Sequence, residues 1–293
     1  MSLPPTHHIP VLLEEVIRWL VPQPGAVVVD GTLGGGGHAR ALAERVGPAG
    51  RVIAVDRDPG AVEAAAQRLA GLPLTAVHGN FADLPELLRE LELPAVDAIM
   101  LDLGMSSDQL ADLERGFSFD ADGPLDLRFD PGSGEPASRL VNRLDERRLA
   151  ELIRRYGEER FSRRIARAIV EQRRQAPIRT ARQLAQVVRG AVPRRGPSRI
   201  DPATRTFQAL RIAVNQELTC LETALKRFPE CLKPGGRVAI ISFHSLEDRR
   251  VKQAFRDDPR YKVLSKKPIR PKPEEIALNP RARSAKLRVA VRQ

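Results

Sequence analysis

The sequence predicts an α/β protein: a doubly wound, Rossmann-like parallel sheet with a helical domain inserted into it. Three observations carry this. Short β-branched runs alternate with helical patterns from the start of the chain to about residue 104. Four consecutive glycines, Gly34 to Gly37, follow the first of these strands and open a helix, in "VVVDGTLGGGGHARAL". The alternation then stops at Asp108 and resumes after residue 205. The expected division is therefore residues 1–107 and 206–293 for the sheet domain and residues 108–205 for the insert.

The elements follow in order. "PVLLEEVIRWL" (residues 10–20) is an amphipathic helix with Pro in its first turn. "AVVVD" (26–30) is a buried strand, "HARALAERV" (38–46) a helix and "RVIAVD" (51–56) the second strand. Asp58 caps a helix over residues 59–69. "LTAVH" (74–78) is the third strand, a short helix runs from Pro85 to Glu90, and "VDAIMLDLG" (96–104) holds the fourth strand. The insert opens with an irregular stretch, residues 115–134, and continues with Arg- and Ala-rich helices over 146–156, 160–175 and 180–192. A single helix over 207–228 leads back to the sheet. "KPGG" (233–236) is a turn signal before the fifth strand, "RVAIISF" (237–243). A helix over 245–255 and two final strands, 261–267 and 285–292, joined by a Pro-rich loop, complete the chain.

Composition narrows the function classes. With 42% hydrophobic residues and no apolar run near the roughly 20 residues of a membrane helix, a soluble cytoplasmic protein is expected. The first ten residues do not read as a signal peptide. Cys220 and Cys231 are the two cysteines. A helix between them would separate them by about 16 Å, at roughly 1.5 Å per residue, which excludes a disulfide. No zinc pattern and no other metal site is expected. The net charge of +11 points to a polyanionic partner without telling RNA from DNA.

The glycines raise the question of the ligand. A mononucleotide phosphate loop fails, because no Lys follows them. Gly34, Gly36 and Ala39 satisfy the dinucleotide pattern, with Asp56 placed to hold a ribose. S-adenosylmethionine also carries a ribose, but replaces the pyrophosphate by a cation. Asp30 ends the first strand and Asp102 the fourth, at the sheet edge where such ligands bind. Acids at several strand ends suit a cation and repel a pyrophosphate.

At this point the chain resembles a known family, the bacterial cytosine-N4 methyltransferases of small-subunit ribosomal RNA, the MraW (RsmH) family. The resemblance rests on "HIPVLLEE" from His8, "DGTLGGGGH" from Asp30, "DRD" from Asp56, "LDLGMSSDQL" from Leu101, "RGFSF" from Arg115 and "GPLDLRFD" from Gly123. It continues with "YGEERFSRRIARAIV" from Tyr156, "DPATRTFQALRIAVNQEL" from Asp201, "ISFHSLEDRRVK" from Ile241 and "NPRARSAKLRVA" from Asn279. Asp108 departs from the family's usual Pro and Asp201 from a common His, and the loop before Asn279 is short.

The resemblance implies a class I methyltransferase sheet with S-adenosylmethionine as cofactor. It implies cofactor-binding positions at Gly36, Gly37, His38, Asp56, Phe81, Asp102 and Gln109. The implied substrate is a cytosine in 16S ribosomal RNA, at the decoding (P-site) region, met as naked RNA or within the small subunit. Cytosine N4 is a poor nucleophile, because its lone pair is delocalised into the ring. Its hydrogens need acceptors and its base must be accessible. Other amino-methyltransferases place an acidic-Pro-Pro-aromatic tetrapeptide after strand four; here that place reads Asp102-Leu103-Gly104-Met105. Candidate catalytic groups are Asp102, the carbonyls of Leu103 or Gly104, Ser106, and His244 as proton acceptor. Asp102 is left between holding the cofactor, which the family's site favours, and orienting the base. The insert, with Arg pairs at 154/155, 163/164 and 194/195, is expected to recognise RNA. Two other classes remain: a nicotinamide-dependent oxidoreductase, and an RNA-binding assembly factor whose methyl transfer is incidental. The oligomeric state stays open, a dimer included.

Overall fold

The computed structural model describes residues 9–119, 122–193 and 201–293. His8, Arg194 and Arg195 lie outside the described residues. The chain divides into two compact units, Met1–Ser107 with Leu218–Gln293, and Asp108–Glu217.

The first unit carries α1 (Leu13–Leu20), β1 (Val27–Asp30), α2 (Gly37–Val46), β2 (Arg51–Asp56), α3 (Pro59–Arg68), β3 (Leu74–His78), α4 (Leu84–Glu90) and β4 (Val96–Asp102). The short helix α5 (Ser107–Ala111) begins at the boundary. In the second unit lie α6 (Ala137–Arg143), α7 (Glu146–Gly157), α8 (Ser162–Gln175), α9 (Ala181–Ala191) and α10 (Ala203–Asn215). The chain returns with α11 (Glu217–Cys231), β5 (Leu232–Ser242), α12 (Ser245–Asp257), β6 (Tyr261–Val263), α13 (Pro273–Leu278) and β7 (Lys286–Arg292).

The sheet order is β3-β2-β1-β4-β5-β7-β6. The neighbouring pairs from β3 to β5 are parallel, while β7 runs antiparallel to both β5 and β6. Strands such as Val96–Asp102 are nearly continuously apolar because both sheet faces are covered. One face packs Val28, Ala54, Met100 and Ile241 against Leu42, Val46 and Val16. The other packs Ile53, Ile99 and Ile240 against Leu84, Leu225 and Phe228. The order turns back at β1, which lies between β2 and β4. The carboxyl ends of the strands beside that reversal are where open α/β sheets take their ligands.

Two sequence expectations change here. The stretch read as one helix, 207–228, is two, broken at Gln216 with φ of 52°. The break has a side-chain cause: Asn215 donates to the carbonyls of Leu127 (2.7 Å) and Arg211 (3.0 Å), and Glu217 pairs with Arg211 at 2.8 Å. Helix α10 accordingly belongs to the helical unit, whose boundary falls at Glu217 and not at residue 205. Gly157 permits its approach to α7, since a Cβ there would lie 2.4 Å from the Arg205 carbonyl oxygen. The second change is at "KPGG", which lies inside β5. Leu232 already pairs with Val96, and a register shift follows before Arg237 meets Ala98. The last two strands are shorter than expected, and α5, α6 and α13 add to the expected elements. Cys220 and Cys231 are both free thiols on α11. No helix among the described residues is long and apolar enough to cross a membrane.

Candidate active site

The Gly-rich loop connects β1 to α2, and its glycines first serve the chain's own turn. The amide of Leu33 donates to Val55 O and that of Gly36 to Leu33 O. Gly36 precedes α2 with φ of 81°, a left-handed conformation that side chains other than glycine rarely adopt. The first turn of α2 has neither a side-chain cap nor an acidic residue of its own, and its Ala39 amide is directed at the Asp30 carboxylate.

Asp30, Asp56 and Asp102 end β1, β2 and β4. Asp56 is tied into the loop: Oδ2 accepts from Gly34 N at 2.8 Å and Oδ1 from Asp58 N at 2.9 Å. Asp30 is fully buried, with Oδ1 accepting from Thr32 N at 3.1 Å and Oδ2 without a hydrogen-bond partner. Burial, with the neighbouring Asp56 charge adding to it, pushes the Asp30 carboxyl up to about 7. Asp102 also has a buried oxygen, Oδ1, without a partner, and Oδ2 lies 3.7 Å from His38 Nδ1. Burial raises the Asp102 carboxyl well above the usual range, and the charges of Asp30 and Glu247 add to the rise.

The other candidates divide. Ser106 is buried and packs near Gly34, whose added Cβ would sit 3.4 Å from Ser106 Cβ. Leu103 N donates to Ile241 O at 2.9 Å, and Gly104 turns at φ of 130° under the Phe243 ring. Phe81 starts a short 3-10 turn after β3 and lies close to Gly31. His38 is buried, and its side chain bonds to the Val11 carbonyl at 3.0 Å. His244 caps α12, with Nδ1 accepting from Glu247 N at 3.3 Å. Its proton therefore sits on Nε2, which is 3.2 Å from the Glu247 carboxylate but not aligned for a hydrogen bond. His244 thus offers a donor, where the sequence suggested a proton acceptor. Gln109 is buried on α5 and belongs to the second unit, outside the cluster that the first unit forms by itself.

Sequence reasoning missed Thr32. Its amide holds Asp30, and its hydroxyl accepts from Asp102 N at 2.6 Å, so one side chain ties the ends of β1 and β4 together. Half of this was legible: Asp-Gly-Thr is an Asx-turn sequence.

The donor set decides what ligand fits. No Lys or Arg among the described residues pairs with Asp30 or Asp102. Two buried carboxylates with unmet oxygens call for a bound cation, and they disfavour a pyrophosphate. A sulfonium and an ammonium, as in S-adenosylmethionine, meet that demand. The raised Asp30 carboxyl has a measurable consequence. It binds a proton more tightly folded than unfolded, so its stabilisation is complete below about pH 4 and is lost as the pH rises through about 7. Asp30→Asn is expected to raise the melting temperature of the ligand-free protein at pH 8 more than at pH 5. An equal shift at both values would show that Asp30 does not titrate in this window.

The profile of the MraW methylase family matches residues 5–293. A protein of Pelobacter propionicus named Ribosomal RNA small subunit methyltransferase H is 50% identical over 303 residues, covering 96% of this chain and 97% of its own. A protein of the same name from Synechococcus sp. is 54% identical over 299 residues, covering 97% and 92%. Among solved structures, an rRNA methylase from Streptococcus thermophilus aligns with a TM-score of 0.44 at 12% identity, over 96% of this chain and 93% of its own.

Proposed function

The chain belongs to the MraW methylase family, and from that premise we propose that it transfers a methyl group from S-adenosylmethionine to N4 of a cytosine in 16S ribosomal RNA, in the P-site region of the small subunit. The buried Asp30 carboxylate, which no Lys or Arg among the described residues pairs with, and the unpartnered Oδ1 of Asp102 beside it carry this reading, the first for the cation and the second for the amine. The names of the relatives above support the choice of RNA.

S-adenosylmethionine supplies an electrophilic methyl group on a sulfonium. The Gly36 and Gly37 backbone would hold its carboxylate end, Asp56 its ribose and Phe81 its adenine. Asp30 balances its positive charge. Asp102 Oδ1 accepts a hydrogen from N4, turning the nitrogen lone pair toward the methyl, and takes the proton that N4 gives up. His244 Nε2 and the Ser106 hydroxyl are donors for the rest of the base. Proximity and orientation supply most of the acceleration.

The helical unit recognises the RNA. Arg154, Arg155, Arg163 and Arg164 are all exposed on α7 and α8. Reversing Arg163 and Arg164 to Glu is expected to lower the log–log salt slope of RNA affinity by roughly 0.7 to 0.9 for each phosphate that the variant no longer neutralises. An unaltered slope would move the RNA surface elsewhere. The activity itself is tested by mass mapping of the methyl group in ribosomal RNA from cells with and without the protein. Loss of one N4-methylcytosine is expected; an unchanged map overturns the reading.

A further inference from the structure

The segment before α1 is pinned by the C-terminal part of the chain. Leu12 N donates to Glu275 Oε1 on α13 at 2.7 Å, and Asn279 Nδ2 donates to the Ile9 carbonyl at 3.1 Å. Between these anchors Leu12 is held at φ of 53°, although its side chain is buried. A branched residue in that region is strained, and such strain persists where the surroundings over-determine the backbone. Pro10 lies against the start of α2, where a Cβ at Gly37 would sit 3.1 Å from its ring.

The clip presents the Val11 carbonyl to His38 Nε2 at 3.0 Å. A carbonyl only accepts, so Nε2 carries the proton. In the neutral ring the lone pair is then on Nδ1, which faces Asp102 Oδ2 at 3.7 Å. We infer that the N-terminal clip fixes the tautomer of His38, and that His38 is a positioning residue that acts through Nδ1 on Asp102, setting where the proton taken from the substrate amine resides.

The inference rests on the methyl-transfer reading above and assigns the His38 side chain to Asp102, with only the His38 backbone left to face the cofactor. Asp102 is faced by Asp30 from β1, by Glu247 from α12 and by His38 from α2. The two acids oppose its charge. The unprotonated Nδ1 favours the carboxyl form, whereas a protonated ring would favour the carboxylate. When the N4–H bond breaks and an O–H bond forms at Asp102 Oδ1, the charge of Asp102 is neutralised and the repulsion between its Oδ2 and the Nδ1 lone pair of His38 is relieved, which makes Asp102 a better proton acceptor. Ile9 and Asn279, each in a motif block, thereby gain a role: they form one anchor of the clip.

Long-range proton–nitrogen NMR of the histidine rings in the ligand-free, full-length protein tests the tautomer, with His38→Gln assigning the signals. Protonated Nε2 and bare Nδ1 are expected; a protonated Nδ1 in the neutral ring overturns the inference. Glu275→Ala should populate both tautomers, and an unchanged spectrum would show that the clip does not set the tautomer. His38→Gln keeps a donor for Val11 but removes the ring nitrogen that faces Asp102. It is expected to bind S-adenosylmethionine within a few-fold, to lose about tenfold or more in single-turnover rate, and to shift the pH at which the rate rises. Normal rate and pH profile in that variant overturn the positioning role. A wild-type protein that methylates no small-subunit RNA would instead sink the methyl-transfer reading, and the NMR result would still stand.

Discussion

Asp102→Asn is expected to bind S-adenosylmethionine within a few-fold of wild type and to lose about 10²-fold or more in single-turnover rate at saturating cofactor. The substitution keeps the shape and one acceptor oxygen but removes the charge and the ability to take a proton. Asp30 remains to balance the cofactor's cation, so affinity should survive. In the wild type the rate should fall in acid, because Asp102 must be ionised to accept from N4 and its carboxyl is raised by burial and by the charges of Asp30 and Glu247. That limb of the profile should disappear in the variant. The opposite pattern, a large loss of affinity with the rate recovered at saturation, would assign Asp102 to the cofactor. A variant normal in both would take Asp102 out of the site.

Asp56→Ala should weaken S-adenosylmethionine binding by roughly 1 to 3 kcal/mol, the cost of leaving a buried polar group unpaired. The structure adds a second reason. Asp56 also anchors the loop, through Gly34 N, and the following turn, through Asp58 N. Loss of the carboxylate therefore removes both a ribose acceptor and the restraint on the glycines. Calorimetry on the folded variant decides: unchanged affinity would mean that Asp56 serves the loop alone.

The acidic strand ends illustrate how far sequence reasoning carries. Asp30, Asp56 and Asp102 each follow an apolar β-branched run, and strand polarity alone places them on one sheet edge. Chain order also marked a break in the alternation at Asp108, where the second compact unit begins. It did not locate where the insert ends, because Gln216 carries no glycine or proline to mark the break. That break depends on Asn215 reaching the Leu127 carbonyl, far away in the chain, while Glu217 turns back to Arg211 of the preceding helix.

His38 and His244 separate the two levels most clearly. The sequence set both beside strand ends and glycines, and so made both candidates for the site. Their chemistry depends on which ring nitrogen carries the proton, and that is decided by a distant partner for one, the Val11 carbonyl, and by a local helix cap for the other, the Glu247 amide three residues on. Local pattern, with its periods of 2 and 3.6, determined most of the strands and helices and the fold class by itself. The tertiary structure alone decided the protonation geometry of His38, because its tautomer is fixed by a hydrogen bond to a carbonyl that only the fold brings within about 3 Å.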